Sequence, residues 1–114
     1  MPVSGIWEFS ITGPMGLHGG MLRLRVQGRC IRGAIRGRDA DLPIQHGEII
    51  GGEELFWTVD TRAPALITMQ FSVTVVESQM LGEVELGDFG TAAFDANYLG
   101  HRPEVDWDSS TGSG

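Results

Sequence analysis

The chain has 114 residues, 41% of them hydrophobic and 20% charged, with a net charge of −7. That size suits one domain with its own core, that composition excludes a disordered chain, and that charge argues against a general nucleic-acid binder. No apolar run approaches the ~18 residues of a membrane span and no basic-then-apolar leader is apparent, while the lone Cys30 leaves no internal disulfide, which fits a reducing, cytoplasmic setting.

Period two dominates, and no long segment has helical period. The spacing predicts eight short strands. The first, about Gly5–Thr12, alternates Trp7, Phe9 and Ile11 with Glu8, Ser10 and Thr12. An eight-residue loop, "GPMGLHGG", follows. The second strand, Met21–Val26, sets Leu22, Leu24 and Val26 against Arg23 and Arg25. The third, Cys30–Arg36, turns Ile31 and Ile35 inward and Arg32 and Arg36 outward. The fourth, "LPIQHGEII", places Leu42, Ile44 and His46 on one face, with Gly47 marking a bulge. The fifth, Leu55–Arg62, faces Leu55, Trp57 and Val59 inward. The sixth, Leu66–Val75, alternates Met69, Phe71, Val73 and Val75 with polar residues. The seventh, Gln79–Leu86, turns Met80, Val84 and Leu86 inward, and "GDFG" leads to the eighth, about Thr91–Tyr98.

Every connection but one is short, as in successive hairpins. Eight antiparallel strands with one apolar face each close most simply as an up-and-down barrel, with a two-sheet sandwich as the alternative. The barrel domain is expected over 1–100, and the acidic, polar residues 101–114 read as a disordered tail. A faint internal echo aligns "LRLRVQGRCIRGAI" with "MQFSVTVVESQMLGEV" and matches Gly33 to Gly82, both as corner-turning residues or as space inside.

A meander puts alternate loops at opposite ends. "GPMGLHGG" and the loops after the third, fifth and seventh strands form one end, the expected mouth. The tight turns near Gly28, Gly51 and Glu77 share the other end with both termini. Trp7 is expected near that closed end. "GIWEF" at the head of an eight-strand meander resembles the calycin-like barrels, the lipocalin and avidin group, whose first strand opens with a Gly-x-Trp whose indole plugs the closed end; Gly5 and Trp7 match, which implies Trp7 as the plug. That resemblance implies a barrel that holds a small molecule. Gly5, Trp7, Pro14, Met15, Gly16, Phe89 and Gly90 also resemble small bacterial barrel domains, a likeness that implies no activity.

The candidate chemistry is sparse. His18, His46 and His101 have no metal-ligand spacing, and Cys30 lies in no metal motif, so no metal or other cofactor is expected. "GPMGLHGG" lacks the Lys-Ser/Thr ending of a phosphate loop and precedes a strand. Glu8, Asp60 and Asp95 fall on outward positions, which disfavours a carboxylate hydrolase. Six of the eight arginines lie between Arg23 and Arg38, but no aromatics are interleaved among them, as nucleic-acid binding would require.

The favoured reading is binding of an apolar or amphipathic small molecule, lined by Phe9, Ile11, Leu24, Ile35, Trp57, Met69, Phe71, Val84 and Phe94. Met15, Leu17 and His18 would form a mouth flap. A cofactor-free cyclase or isomerase would use the same cavity, with His46 or Tyr98 as the polar group. A third reading is a solid-core interaction domain, a homodimer in its simplest form, joined through outward Ile6, Phe56 and Leu81.

Overall fold

A strand with one apolar and one polar face hides the apolar face only when its sheet packs or closes over it. The computed structural model describes residues 3–14, 16–37, 41–61 and 66–100. Within them run β1 (Gly5–Gly13), β2 (Gly16–Gln27), β3 (Cys30–Arg36), β4 (Asp41–Pro43), β5 (Gln45–Gly51), β6 (Glu54–Thr61), β7 (Ile67–Val76), β8 (Gln79–Glu85) and β9 (Thr91–Gly100), with a single 3-10 turn at Gly87–Phe89. The expected tail and the "APA" loop lie outside the described residues.

Antiparallel pairing runs from β1 through β2, β3, β5, β6, β7, β8 and β9 and returns to β1. The result is a closed eight-stranded barrel, and the short β4 is the additional strand. It lies along the same edge of β3 as β5, with Leu42 opposite Ile35 and Gly47 opposite Ile31.

The segment expected as one fourth strand is therefore β4 plus β5, joined through Ile44, whose N–H donates to the Gly33 carbonyl at 3.0 Å. Between Gln45, opposite Thr58, and Glu48, opposite Phe56, the register slips. His46 and Gly47 together face the single residue Trp57, a β-bulge. His46 takes a left-handed φ of 55° and is exposed. The expectation of an inward His46 is overturned, because the bulge's extra residue reverses the alternation.

Elsewhere the alternation holds. Phe71, Val73 and Val75 of β7 are buried between exposed Ser72 and Val76. Two outward residues are buried all the same: Thr58 at 8% and Ile6 at 5% exposure. The β1–β9 register shifts between Ile6 and Trp7, which turns both side chains out of water.

The glycine echo has a geometric basis. Leu24 faces Gly33 across one hairpin and Val73 faces Gly82 across the other, with the same two-residue turns. A Cβ on Gly33 would strike the Arg23 carbonyl, and one on Gly82 would strike the Ser72 carbonyl and the Val73 Cα. Backbone fills the space that a side chain would need, so these glycines bend the wall and leave no room inside. Phe94 lies directly opposite Gly82, and its ring meets Phe9, Trp57 and Phe71.

The "GPMGLHGG" segment is mostly strand. Gly13 pairs with Gly16, Thr12 with Leu17 and Ile11 with His18, so β1 and β2 stay paired to the end of a tight hairpin. Gly16 adopts φ +101°, a conformation open to glycine at little cost. The expected long loop is thus a β-hairpin; Met15 lies outside the described residues.

Candidate functional site in the barrel interior

The two ends of the barrel differ. At the end that carries the turns near Gly28, Gly52 and Glu77, the Val3–Ser4 segment is tied down by three hydrogen bonds. Trp7 Nε1 donates to the Val3 carbonyl at 2.9 Å, Tyr98 Oη donates to the Ser4 carbonyl at 2.9 Å, and the Val26 N–H donates to Ser4 Oγ at 2.9 Å. The Trp7 and Tyr98 rings meet at 4.9 Å, and Trp7 is fully buried. Trp7 does plug this end. Its anchor, the Val3 carbonyl, was not expected, although a buried indole N–H needs an acceptor and the residues before the strand are the nearest source.

Burial loosens toward the opposite end. Leu42, Thr61, Ile67 and Met69 take inward positions there and are only half-buried. Around them stand apolar side chains open to water: Leu17 at 71%, Leu66 at 81% and Phe89 at 44% exposure. Neither Leu66, expected as the first residue of the sixth strand, nor Phe89, in the "GDFG" turn, was assigned to the rim. Leu17 does stand at the rim as expected. So does His18, exposed opposite Ile11.

Between the ends lies an aromatic stack. Trp57 stacks on Phe71 at 5.3 Å, Phe94 meets both edge-on at 6.1 and 5.4 Å, and Phe9 stacks on Phe94 at 5.9 Å. Such pairs contribute about 0.5–1.5 kcal/mol each beyond the area they bury. Ile11, Leu24, Ile35 and Val84 complete the expected lining, all buried, while Met69 is half-buried. The structure brings the nine expected lining residues to one interior.

It does not bring the two expected polar groups there. His46 is outside, on the bulge. Tyr98 is at the plug, its hydroxyl committed to Ser4. One interior polar atom takes their place. Among the described residues, Trp57 Nε1 is a buried side-chain donor with no hydrogen-bond partner. An unmet buried donor costs about 1–3 kcal/mol, whereas phenylalanine would fill the same position without that penalty.

The outer surface has its own features. Asp60, Glu8 and Asp95 are exposed, and Asp60 accepts a hydrogen bond from Thr68 Oγ1 at 2.8 Å. Arg36 forks onto Asp41 at 2.7 and 3.1 Å. That hydrogen bond raises the Arg36 pKa and holds the Asp41 carboxyl below its ordinary value. Arg25 and Arg32 face each other across β2 and β3, both exposed. A depression of about 300 Å³ between β5, β6 and β7 is lined by Ile50, Phe56, Ser72 and Thr74, and it lies outside the barrel. No group of three or more His, Cys, Asp or Glu among the described residues could hold a metal ion. No helix among them is long and apolar enough to cross a membrane.

Among solved structures, the chain is similar to a redesigned β-barrel, mFAP1, bound to DFHBI, with a TM-score of 0.64 and 12% sequence identity. The match covers 83% of this chain and 94% of that one. At that identity the likeness is one of fold, and the fold is a small antiparallel barrel. No family model matches the chain, and no curated protein matches it.

Proposed function

We propose that this protein binds an apolar or amphipathic small molecule in its barrel interior, as calycin-like barrels do, and admits it at the end away from Trp7. The observation that carries this reading is the contrast between the ends. One is shut by an indole and three hydrogen bonds; the other is rimmed by exposed Leu17, Leu66 and Phe89 over half-buried Met69. An apolar molecule would meet this rim first, and Leu66 and Leu17 are the most exposed large apolar side chains among the described residues. The neighbouring barrel's bound DFHBI supports the same use of this architecture.

The cyclase or isomerase reading is not favoured, since His46 lies outside and the Tyr98 hydroxyl already serves the plug. Titration with Nile red, a neutral apolar dye, tests the proposal. Saturable one-to-one fluorescence enhancement is expected. Met69→Lys should weaken it at least about tenfold, because a charge at the entrance resists burial, with little change in melting temperature. Absence of saturable binding in the wild type, or equal binding by Met69→Lys, would overturn it. Native mass spectrometry of the same samples reads out ligand stoichiometry and any dimer.

A further inference from the structure

The chain buries two tryptophans equally deeply and treats their N–H groups differently. Trp7 and Trp57 are both fully buried. Trp7 Nε1 has its acceptor at 2.9 Å, and Trp57 Nε1 has none among the described residues. Trp7 shows that this fold can supply a carbonyl to an indole by bringing a chain segment to it. At Trp57 the wall on the β5 side is the His46–Gly47 bulge, and the ring's other neighbours are Phe71 and Phe94, which offer faces and edges but no oxygen.

Resting on the reading above, we infer that Trp57 Nε1 is the polar contact for the ligand, and that the ligand is a neutral, largely apolar molecule carrying one hydrogen-bond acceptor such as a ketone, ester or ether oxygen. The donor requires an acceptor. The flat stack of Trp57 and Phe71, with Phe94 at its edge, favours a planar or ring-bearing body. Charge is excluded by the surroundings. Thr58 is the only buried polar or charged residue among those described, and it belongs to the outer face of β6, donating to the Gln45 carbonyl. A carboxylate or an ammonium inside would have no counter-charge and would forfeit its hydration.

The test uses three naphthalenes of nearly equal shape: 2-acetylnaphthalene, 2-ethylnaphthalene and 2-naphthoate, each displacing Nile red from the full chain. The wild type should bind the ketone about tenfold more tightly than the hydrocarbon, the effect of one buried hydrogen bond, and bind the carboxylate most weakly. Trp57→Phe keeps an aromatic ring and removes the N–H, so it should bind ketone and hydrocarbon alike. Should that variant not fold, the wild type still decides. Of its three tryptophan indole N–H signals in a ¹⁵N spectrum, one should shift downfield with the ketone and stay in place with the hydrocarbon. Equal binding of ketone and hydrocarbon by the wild type would overturn the inference and leave interior binding standing. Failure of all three compounds and of Nile red to bind would overturn the reading beneath it.

Discussion

Truncation of Phe94 to alanine probes whether the aromatic stack holds the barrel together. The ring is 2% exposed and touches Phe9, Phe71 and Trp57 at centroid distances of 5.9, 5.4 and 6.1 Å. Large-to-small changes at such sites cost about 3–5 kcal/mol, more where the surroundings cannot collapse. The residue opposite is Gly82, which has no side chain to move into the gap. The upper part of that range applies, about 4–5 kcal/mol, a large share of the about 5–15 kcal/mol that a small domain possesses. At about 4 °C per kcal/mol for a chain of this size, the melting temperature should fall by about 16–20 °C. Urea unfolding followed by tryptophan fluorescence, alongside calorimetry, measures both quantities. Phe89→Ala is the control: its ring is 44% exposed, and the change should stay within about 0.5 kcal/mol. A loss below about 1.5 kcal/mol for Phe94→Ala would refute the claim that the aromatic stack holds the barrel together.

Other outcomes follow from single residues. Gly82→Ala should destabilise by about 1–3 kcal/mol in urea unfolding, because its new methyl meets the backbone of β7, whereas Gly51→Ala, with nothing within 4 Å, should be near neutral. His46→Gly should stabilise by about 0.5–1 kcal/mol in the same assay by relieving a left-handed residue, and His46→Val should destabilise. The Asp41 carboxyl has a lowered pKa in the folded state, so its contribution to stability is present above the ordinary aspartate pKa of about 4 and is lost as pH falls through the lowered value. Asp41→Asn should therefore flatten the acid limb of a melting-temperature profile and reduce stability slightly at neutral pH.

Much of the barrel was legible because period-two alternation is local. Ile67 to Val75 reads as a strand with one buried face whatever it pairs with, and its buried residues are the ones the alternation selects. Short turns between such strands then leave little choice but a meander, and the apolar faces require closure. The interior lining from Phe9 to Phe94 followed from that parity alone. Parity failed where pairing added a residue. His46 alternates correctly with Ile44 in sequence, yet the bulge against Trp57 turns it to solvent, and the shift at Ile6 buries a residue that should face out. "GPMGLHGG" looked like a loop for its glycines, and pairing of Gly13 with Gly16 made it a hairpin.

What the sequence determined by itself is which face of each strand is apolar, since that depends only on side-chain order along a pleated chain. Tertiary structure alone decided which polar atoms are satisfied. An acceptor reaches Trp7 only because the Val3 segment is tied across the closed end, and none among the described residues reaches Trp57. Both indoles sit on inward positions of first-rank apolar strands, and no local pattern separates them. Hydrogen bonds need two groups within about 3 Å, and closure of the barrel sets that distance for residues far apart in the chain.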